Sequence, residues 1–418
     1  VVGYQALDAN TTGGSNVAVG RDALGNNTTG VYGVAIGRDA LSDNTTADSN
    51  TAIGYRALYL NTNGHENVAI GAFALDAMTT GNDHVAVGYA ALGALTTGAR
   101  NTAIGYGAGA NATTSNNNVF AGYDAGIQIT TGGANVAIGV YALDAATTNG
   151  ANVAIGYQAL SADTGDSCTA VGYEALKVNT ASDITAVGRQ ALGANTTGSA
   201  NTALGRSALL TNSTGSMNTA IGNDALRLNE ASDNVAVGGG ALYANTTGTY
   251  NTAVGPGQYG STQGPLGANT TGSFNTALGL KALLANTTAS SNTALGASCL
   301  ISNTTGTENV AVGSAALEDN TTGSYNTAVG NNALDENTGS YNTAVGWRSM
   351  SNGVAGNQNS AVGMETLRDV TTGQYNTAIG RSAGEQLTTG ENNTLLGRNS
   401  GRSGSPSGQI TTGDNNVC

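Results

Sequence analysis

The chain repeats itself every 16 or 17 residues, and this period restricts its fold more than any other feature. A motif of the form Asn-Val-Ala-Val-Gly begins at Asn16 and returns in closely similar form at Asn50, Asn101, Asn201 and Asn393. The full unit reads Asn-Thr-Ala-Val-Gly, two variable residues, Ala-Leu, two variable residues, Asn-Thr-Thr-Gly and two variable residues; these are positions 1 to 17 below. Such self-similarity is typical of solenoids, in which each repeat forms one coil.

The arrangement of apolar residues within the unit predicts strands and not helices. Apolar residues occupy positions 3, 4, 8 and 9, and Gly at position 5 and the Asn-Thr-Thr-Gly segment interrupt any helical stripe. Thr-Ala-Val is predicted to be a short strand, the following Gly to turn with positive φ, and Ala-Leu to begin a second short strand. The sequence therefore predicts an all-β parallel β-solenoid, a β-roll of about 24 stacked coils of 16–17 residues, as a single domain over residues 1–418.

Stacking of identical units makes two further predictions about side chains. The Asn residues at positions 1 and 12 are expected to form amide ladders from coil to coil. Because Ala and Val of one strand point in opposite directions, apolar atoms lie on both faces of the strand, and one of these faces has to be covered from outside the coil. We therefore expect a homo-oligomer; the alternative is that Ala is small enough to be tolerated in water.

Two units are longer than the rest, and the chain starts inside a repeat. Because an insertion in a solenoid can only leave outward, loops are predicted near 256–265 and 403–409. The first residues, Val1-Val2-Gly3, match the middle of a unit and not a signal peptide. We therefore expect the chain to be an excerpt of a longer protein.

The composition argues against several classes of partner. Only 10% of the residues are charged, and the net charge is −13 with a pI near 4.4, so the clustered Lys and Arg that nucleic acid requires are missing. No run of about twenty apolar residues occurs, so no membrane insertion is expected within this segment. Aromatic residues make up 5%, which indicates a thin core of Ala, Val and Leu.

The residues that usually carry catalysis or bind metals are sparse. The two histidines, His65 and His84, have no Ser-His-Asp or Cys-His pattern near them, so no enzyme activity is expected. The three cysteines are far apart and are interpreted as small buried residues: Cys168, Cys299 and Cys418. No cofactor is expected. Calcium is the one inorganic candidate, but the acidic residues do not form unbroken ladders: Asp22, Asp39, Asp76, Asp144 and Glu174.

The Asn-Thr-Thr turns match the N-glycosylation sequon and contain paired threonines. The candidate glycan acceptors are Asn10, Asn27, Asn44, Asn195, Asn245, Asn269, Asn286, Asn303 and Asn320. The alternative is that the motif is turn chemistry that happens to match. Thr pairs also suggest an ice-binding face, although adjacent strand residues point in opposite directions.

Tyrosine recurs at two places of the unit. Tyr55, Tyr89 and Tyr106 are examples at position 6, and Tyr250 and Tyr325 are examples at position 17. Exposed, stacked Tyr residues suit contact with saccharides. The alternative is that each ring covers the coil edge and pairs with a ring one coil away.

These motifs resemble known repeat families. Asn-Thr-Ala-Ile-Gly-Tyr followed by Ala-Leu, as at 50–58, resembles the head repeats of YadA-like trimeric adhesins, which form a left-handed parallel β-roll. The seventeen-residue unit with Asn-Thr-Thr-Gly is similar to repeat tracts of phage and large-virus tail fibres. The resemblance covers essentially the whole chain and implies a left-handed, homotrimeric fibre that mediates attachment to cell-surface glycans or a receptor, outside the cell or on a virion.

The sequence thus favours a structural, non-enzymatic fibre, the shaft or head of an adhesin or a tail fibre. A self-polymerising extracellular filament, in which coils of successive chains continue one another, is the alternative. An ice-binding solenoid is a lesser alternative.

Overall fold

The computed structural model describes residues 1–257, 263–402 and 410–418. Within these ranges the chain is all-β, contains no helix, and stacks short parallel strands as a β-solenoid, which confirms the predicted fold class. The strands are β1 Val17–Val19, β2 Val34–Ile36, β3 Thr51–Ile53, β4 Val68–Ile70, β5 Val85–Val87, β6 Thr102–Ile104, β7 Val119–Ala121, β8 Val136–Ile138, β9 Val153–Ile155, β10 Ala162–Asp163, β11 Thr169–Val171, β12 Val178–Asn179, β13 Thr185–Val187, β14 Thr202–Leu204, β15 Thr219–Ile221, β16 Val235–Val237, β17 Thr252–Val254, β18 Thr276–Leu278, β19 Thr293–Leu295, β20 Val310–Val312, β21 Thr327–Val329, β22 Thr343–Val345, β23 Ser360–Val362, β24 Thr377–Ile379 and β25 Thr394–Leu396.

The described chain divides into two compact units, Val1–Asn201 and Thr202–Cys418. In the first unit β1 to β9, β11 and β13 pair in sequence order, with Val17 opposite Val34 and Ala18 opposite Ala35. In the second unit β14 to β25 pair in the same way. Each strand thus lies on the equivalent strand of the next coil, in the predicted register.

The interior of each coil is narrow and lined by small side chains. The middle Ala of the strand, such as Ala52, is fully buried, and so are the Ala and Leu of positions 8 and 9, such as Ala57 and Leu58. Position 4 points outward, so Ile53 is only half-buried. Val and Leu of one unit therefore do not share a face, because the strand residue faces solvent and the Leu fills the core.

The Ala-Leu segment is a turn, and the prediction of a second strand there is wrong. Leu58 has φ +53° and Arg56, two residues before it, has φ +54°, so the backbone alternates in and out of the left-handed region and cannot extend. A second pair of strands occurs at positions 11 and 12 of two neighbouring coils, where β10 pairs with β12. Both of those coils have 16 residues, one fewer than the usual unit.

The left-handed backbone explains why position 9 carries Leu and not Val. A left-handed residue other than Gly costs about 1–2 kcal/mol, and a β-branched side chain is strained further. Full burial of a Leu side chain contributes about 1.5–3 kcal/mol, which offsets that cost. Position 9 is Leu, Met or Gly in every unit, whereas the extended position 4 is mostly Val or Ile.

The Gly of position 5 sets how closely two coils approach. Gly54 has φ +136°, and a Cβ placed on it would lie 2.6 Å from the carbonyl carbon and oxygen of Gly71 in the next coil. Any side chain at this position would push the coils apart. The predicted positive-φ turn at this Gly is therefore confirmed, and close stacking is a second reason for it.

The first long unit keeps its register across the insertion. Thr252 of β17 pairs with Thr276 of β18, although 24 residues separate them. Pro265 and Leu266 are buried in the places of Ala and Leu, so the coil resumes at Pro265 and the extra residues precede it. Residues 258–262 of this predicted loop, and all of the predicted loop at 403–409, lie outside the described residues.

Phe120 takes the place of the buried strand Ala, and two glycines make room for it. Position 9 is Gly109 in the coil before and Gly126 in the same coil, in place of Leu. A Cβ on Gly126 would lie 2.4 Å from the Phe120 ring, and one on Gly109 would lie 2.6 Å from it. The volume lost from two Leu residues thus accommodates one ring.

The same exchange occurs a second time. Leu395 replaces the strand Ala, and Gly384 and Gly401 replace the two neighbouring Leu residues. A Cβ on Gly384 would lie 2.6 Å from Leu395 Cδ1.

The exchange predicts strong coupling between these sites. Phe120→Ala should lower the free energy of unfolding by about 3–5 kcal/mol, because it leaves a cavity beside two glycines. Gly126→Leu alone should also destabilise, through a clash with the ring. The triple variant Phe120→Ala/Gly109→Leu/Gly126→Leu restores the consensus core and should recover most of the loss. Urea unfolding of the four proteins measures this, and additive effects would contradict it.

Candidate functional surfaces

Two columns of asparagine side chains lie in the interior, one at position 1 and one at position 12, and buried apolar residues such as Met78, Leu95 and Ile129 interrupt the second column. In the first, Asn50 Oδ1 accepts the backbone N–H of Asn67 at 3.0 Å and its Nδ2 at 3.1 Å, while Asn67 Nδ2 also donates to the Gly81 carbonyl at 3.0 Å. In the second, Asn44 Nδ2 donates to Asn27 Oδ1 at 2.8 Å. The predicted amide ladders are confirmed.

These columns use the atoms that a glycan would need. Asn44 Nδ2, the nitrogen of the sequon, also donates to the carbonyl of Ala47 at 3.1 Å. Asn10 is half-buried, and the other candidate acceptors are buried: Asn27, Asn44, Asn195, Asn245, Asn269, Asn286, Asn303 and Asn320. In the folded stack the Asn-Thr-Thr motif therefore serves as turn and ladder chemistry.

The first Thr of most pairs is hydrogen-bonded within the stack as well. Thr28 Oγ1 donates to the Thr45 carbonyl at 3.0 Å, and Thr79 Oγ1 donates to the Thr96 carbonyl at 3.1 Å. These hydroxyls bridge consecutive coils and do not form a free, outward hydroxyl array.

His84 replaces the Asn of position 1 and reproduces its hydrogen bonds. Its Nδ1 accepts the backbone N–H of Asn101 at 3.2 Å, and its Nε2 lies 3.3 Å from the Gly98 carbonyl, to which it donates in the neutral Nε2–H tautomer. The side chain is fully buried, and this burial lowers its pKa, with Asp83 as the nearby charge that opposes the shift. His84 is thus a ladder residue; His65 lies in the turn, where its Nδ1 accepts the backbone N–H of Asp48.

The cysteines are free thiols in separate coils. Cys168 and Cys299 are fully buried, as expected for small core residues, and Cys418 is half-buried. Burial raises the pKa of Cys299 to about 12, so this thiol stays protonated.

Most of the acidic residues considered for calcium pair with basic neighbours. Asp22 and Asp39 lie 3.1 Å from Arg21 and Arg38, respectively, and Glu174 lies 2.8 Å from Lys177. Asp76 lies 3.9 Å from Arg56, and burial raises its pKa. Asp144 has no ion pair among the contacts described, and burial raises its pKa too. Across residues 1–257, 263–402 and 410–418, no three His, Cys, Asp or Glu side chains are grouped to hold a metal ion.

The outward residues of the three-residue strands form what we call the outer sheet face, at positions 2 and 4. Position 2 is Thr or Val except at Ser360, and position 4 is Val, Ile or Leu except at Ala121. Many of these side chains are exposed, for example Ile104 at 48% and Ile379 at 49%. In the described strands no charged residue interrupts this face.

Eight aromatic side chains in eight consecutive coils of the first unit form a second surface, the aromatic ladder. Its ring centroids lie between 5.1 and 6.4 Å apart, some pairs stacked and others edge to face: Tyr55, Phe73, Tyr89, Tyr106, Tyr123, Tyr141, Tyr157 and Tyr173. The expected pairing of Tyr one coil apart is thereby confirmed. The Tyr residues of position 6 in the ladder stay 37–51% exposed.

Sequence reasoning found only the ladder members at position 6. Phe73 and Tyr141 occupy position 7, in the two coils where position 6 is Ala72 and Val140. Each ring still contacts the ladder, since Tyr55 and Phe73 centroids are 5.2 Å apart and Tyr123 and Tyr141 centroids 5.6 Å. The signal was an aromatic residue one place later in the two coils, among the eight, in which position 6 is not aromatic.

Comparison with known proteins adds no assignment. No protein-family model matches the chain, and no curated protein matches it. In the described part of the chain there is no helix long and apolar enough to span a membrane.

The asparagine columns predict a sharp response to a single amide-to-acid change. Asn286 donates from Nδ2 to Asn269 Oδ1 at 2.8 Å and to the Ala289 carbonyl at 3.0 Å. Asn286→Asp replaces this donor by a buried carboxylate that faces two acceptors, and it should cost at least about 2–3 kcal/mol of unfolding free energy at pH 7. Urea unfolding tests this, with Asn331→Asp at an exposed position as the matched control; equal effects would contradict it.

His84 predicts a pH dependence of stability with a definite sign. Because its folded pKa lies below the ordinary 6.5, the folded and unfolded states both hold neutral imidazole well above that pH, and stability is complete there. Below pH 6.5 the unfolded chain takes up a proton that the folded chain excludes, so the free energy of unfolding falls by up to about 1.4 kcal/mol per pH unit. His84→Asn should remove this slope.

Urea unfolding at pH 7.5, 6.5 and 5.5 compares the wild type with His84→Asn. The difference between the two proteins isolates His84 from the carboxylates that titrate at lower pH. A constant difference across the three values would refute the account.

Proposed function

We propose that this chain is a structural, non-enzymatic segment of an extracellular or virion fibre, which associates with copies of itself through the outer sheet face and mediates attachment. The single observation that carries the proposal is the uninterrupted, uncharged outer sheet face. Its side chains are Val, Ile, Leu and Thr in nearly every described coil, although the chain as a whole carries a net charge of −13.

The size of this face supports self-association. With strands about 4.8 Å apart and each about 10 Å long, the twelve strands of the second unit present roughly 500 Å². Roughly half of this area is aliphatic, because position 2 of these strands is Thr or Ser except at Val235 and Val310, and a contiguous apolar patch of a few hundred Å² is often functional. A second copy of the same chain fits it best, because its coils have the same spacing and it brings no unpaired charge to the contact.

The resemblance to YadA-like adhesin heads and tail-fibre tracts favours a homotrimer, and it is the basis for the extracellular or virion location and for attachment. A self-polymerising filament uses the same coil-on-coil chemistry and is the second candidate. It differs from the trimer in one measurable way, since its mass grows with concentration while that of a trimer stays fixed. The internally bonded Thr hydroxyls of the turns give no support to an ice-binding face there.

Light scattering coupled to size-exclusion chromatography tests the proposal on the full chain. We expect about three times the 41.1 kDa chain mass, independent of concentration in the micromolar range. Leu278→Lys/Ile379→Lys places charge on the outer sheet face and should reduce the mass to that of one chain. Thr305→Lys/Thr372→Lys, at exposed turn positions, is the matched control and should leave the mass unchanged. A wild type that elutes as a single chain would overturn the proposal.

A further inference from the structure

We propose that the aromatic ladder is a binding site for an extended, neutral polysaccharide. This inference deepens the attachment function proposed above and rests on it for its biological role. The binding itself belongs to a single chain and does not require self-association.

The ladder is not a requirement of the fold. In the second unit the coils stack in the same register, yet position 6 carries residues such as Asn223, Gly239, Ser314 and Asn331. The aromatic rings of the first unit are therefore not required for coil stacking. An exposed, contiguous aromatic surface of this kind usually marks an interaction site.

The spacing of the rings suits a polymer that repeats at a similar distance. Tyr89, Tyr106 and Tyr123 lie one coil apart, with centroids separated by 5.1 and 5.2 Å. The advance per sugar in an extended pyranose chain is comparable with this distance, so successive sugars can meet the exposed edges and hydroxyls of successive stacked rings. A globular protein partner has no such period.

The chemistry of the ladder fits sugars better than it fits charged or purely apolar ligands. Tyr presents an apolar ring and a hydroxyl that donates and accepts hydrogen bonds. The negative charge of Asp124 raises the pKa of the neighbouring Tyr123, so its phenol remains a neutral donor. None of the eight members of the ladder is charged.

Polar side chains at position 7 lie along the edge of the ladder. They are Asp124, Gln158 and Glu174 in ladder coils and Gln190 in the coil after the ladder, where Gln190 Nε2 donates to Glu174 Oε2 at 2.9 Å. Planar carboxylate and amide groups beside aromatic rings can accept and donate to sugar hydroxyls. The edge thus adds directional hydrogen bonds to the apolar contact with the rings.

The ladder has a defined beginning. Arg38 lies over the Tyr55 ring at 5.0 Å from its centroid, and the coil before it carries Arg21 at the same position. From Tyr55 to Tyr173 the ladder spans eight coils. This length accommodates an oligosaccharide of several sugars and is far longer than a monosaccharide needs.

Isothermal titration calorimetry of the full chain with cellohexaose and with N-acetylchitohexaose tests the proposal, with glucose as the monomer control. We expect at least one hexasaccharide to bind with a Kd at or below the millimolar range and glucose to bind at least tenfold more weakly. Tyr106→Ala/Tyr123→Ala should weaken hexasaccharide binding at least tenfold. Tyr250→Ala/Tyr325→Ala removes two similarly exposed Tyr residues outside the ladder and should bind like the wild type.

A second variant guards against loss of folding. Tyr106→Phe/Tyr123→Phe keeps both rings and removes only their hydroxyls, and it should fold normally and bind two- to tenfold more weakly than the wild type. Absence of binding by the wild type to either hexasaccharide, or equal losses in the ladder and control variants, would overturn the proposal. Repeating the titration on Leu278→Lys/Ile379→Lys separates it from self-association, since ladder binding should persist in a single chain.

Discussion

Every coil depends on the next coil to satisfy its buried polar groups. The core is built mainly from Ala and Leu and is narrow. Backbone amides and carbonyls are therefore buried in it beside the asparagine columns. Asn50 Oδ1 accepts two N–H groups from Asn67 of the following coil, and Asn44 Oδ1 accepts an N–H of the Asn61 side chain in the coil after its own. A coil alone would leave these groups unpaired at a cost of about 1–3 kcal/mol each, so stability comes from stacking.

The sequence was sufficient to predict what the stacking itself imposes. The period, the strand at Thr-Ala-Val, the glycine at its end and the amide ladders all follow from placing identical residues above one another. The second strand was wrong because Ala-Leu is apolar in any conformation, and hydrophobicity does not distinguish an extended segment from a left-handed one. The distinguishing feature was β-branching. Position 9 is never Val or Ile and is usually Leu, as at Leu58, Leu75 and Leu92, whereas the β-branched Ile53 and Ile70 lie in the true strand.

Exceptions to the consensus also carried information that a single averaged unit conceals. Phe120 and Leu395 each occur with a pair of glycines one half-coil away, one in the same coil and one in the coil before. Phe73 and Tyr141 follow a small residue at position 6, and their rings still join the ladder. In both cases the substituted residue makes sense only with its neighbour in the stack. Pairs of departures from the repeat, compared one period apart, would have revealed both.

The division between constant and variable positions indicates where function can reside. Interior positions 1, 3, 8 and 9 are restricted by close packing and hydrogen bonding between coils, whereas the interior position 12 holds Asn or, in many coils, a buried apolar residue such as Met78 or Leu95. His84 is accommodated at position 1 because its ring nitrogens copy the amide of Asn. Positions 6 and 7 are not restricted by packing or hydrogen bonding in the interior, and their residues vary from Tyr to Arg to Gly. A run of eight aromatic side chains in that variable column is thus independent of the core. The outer sheet face differs again, since its outward side chains are free of core packing and are nonetheless almost all Val, Ile, Leu or Thr. The self-association that we propose, in which another copy of the chain covers this face, would account for that uniformity.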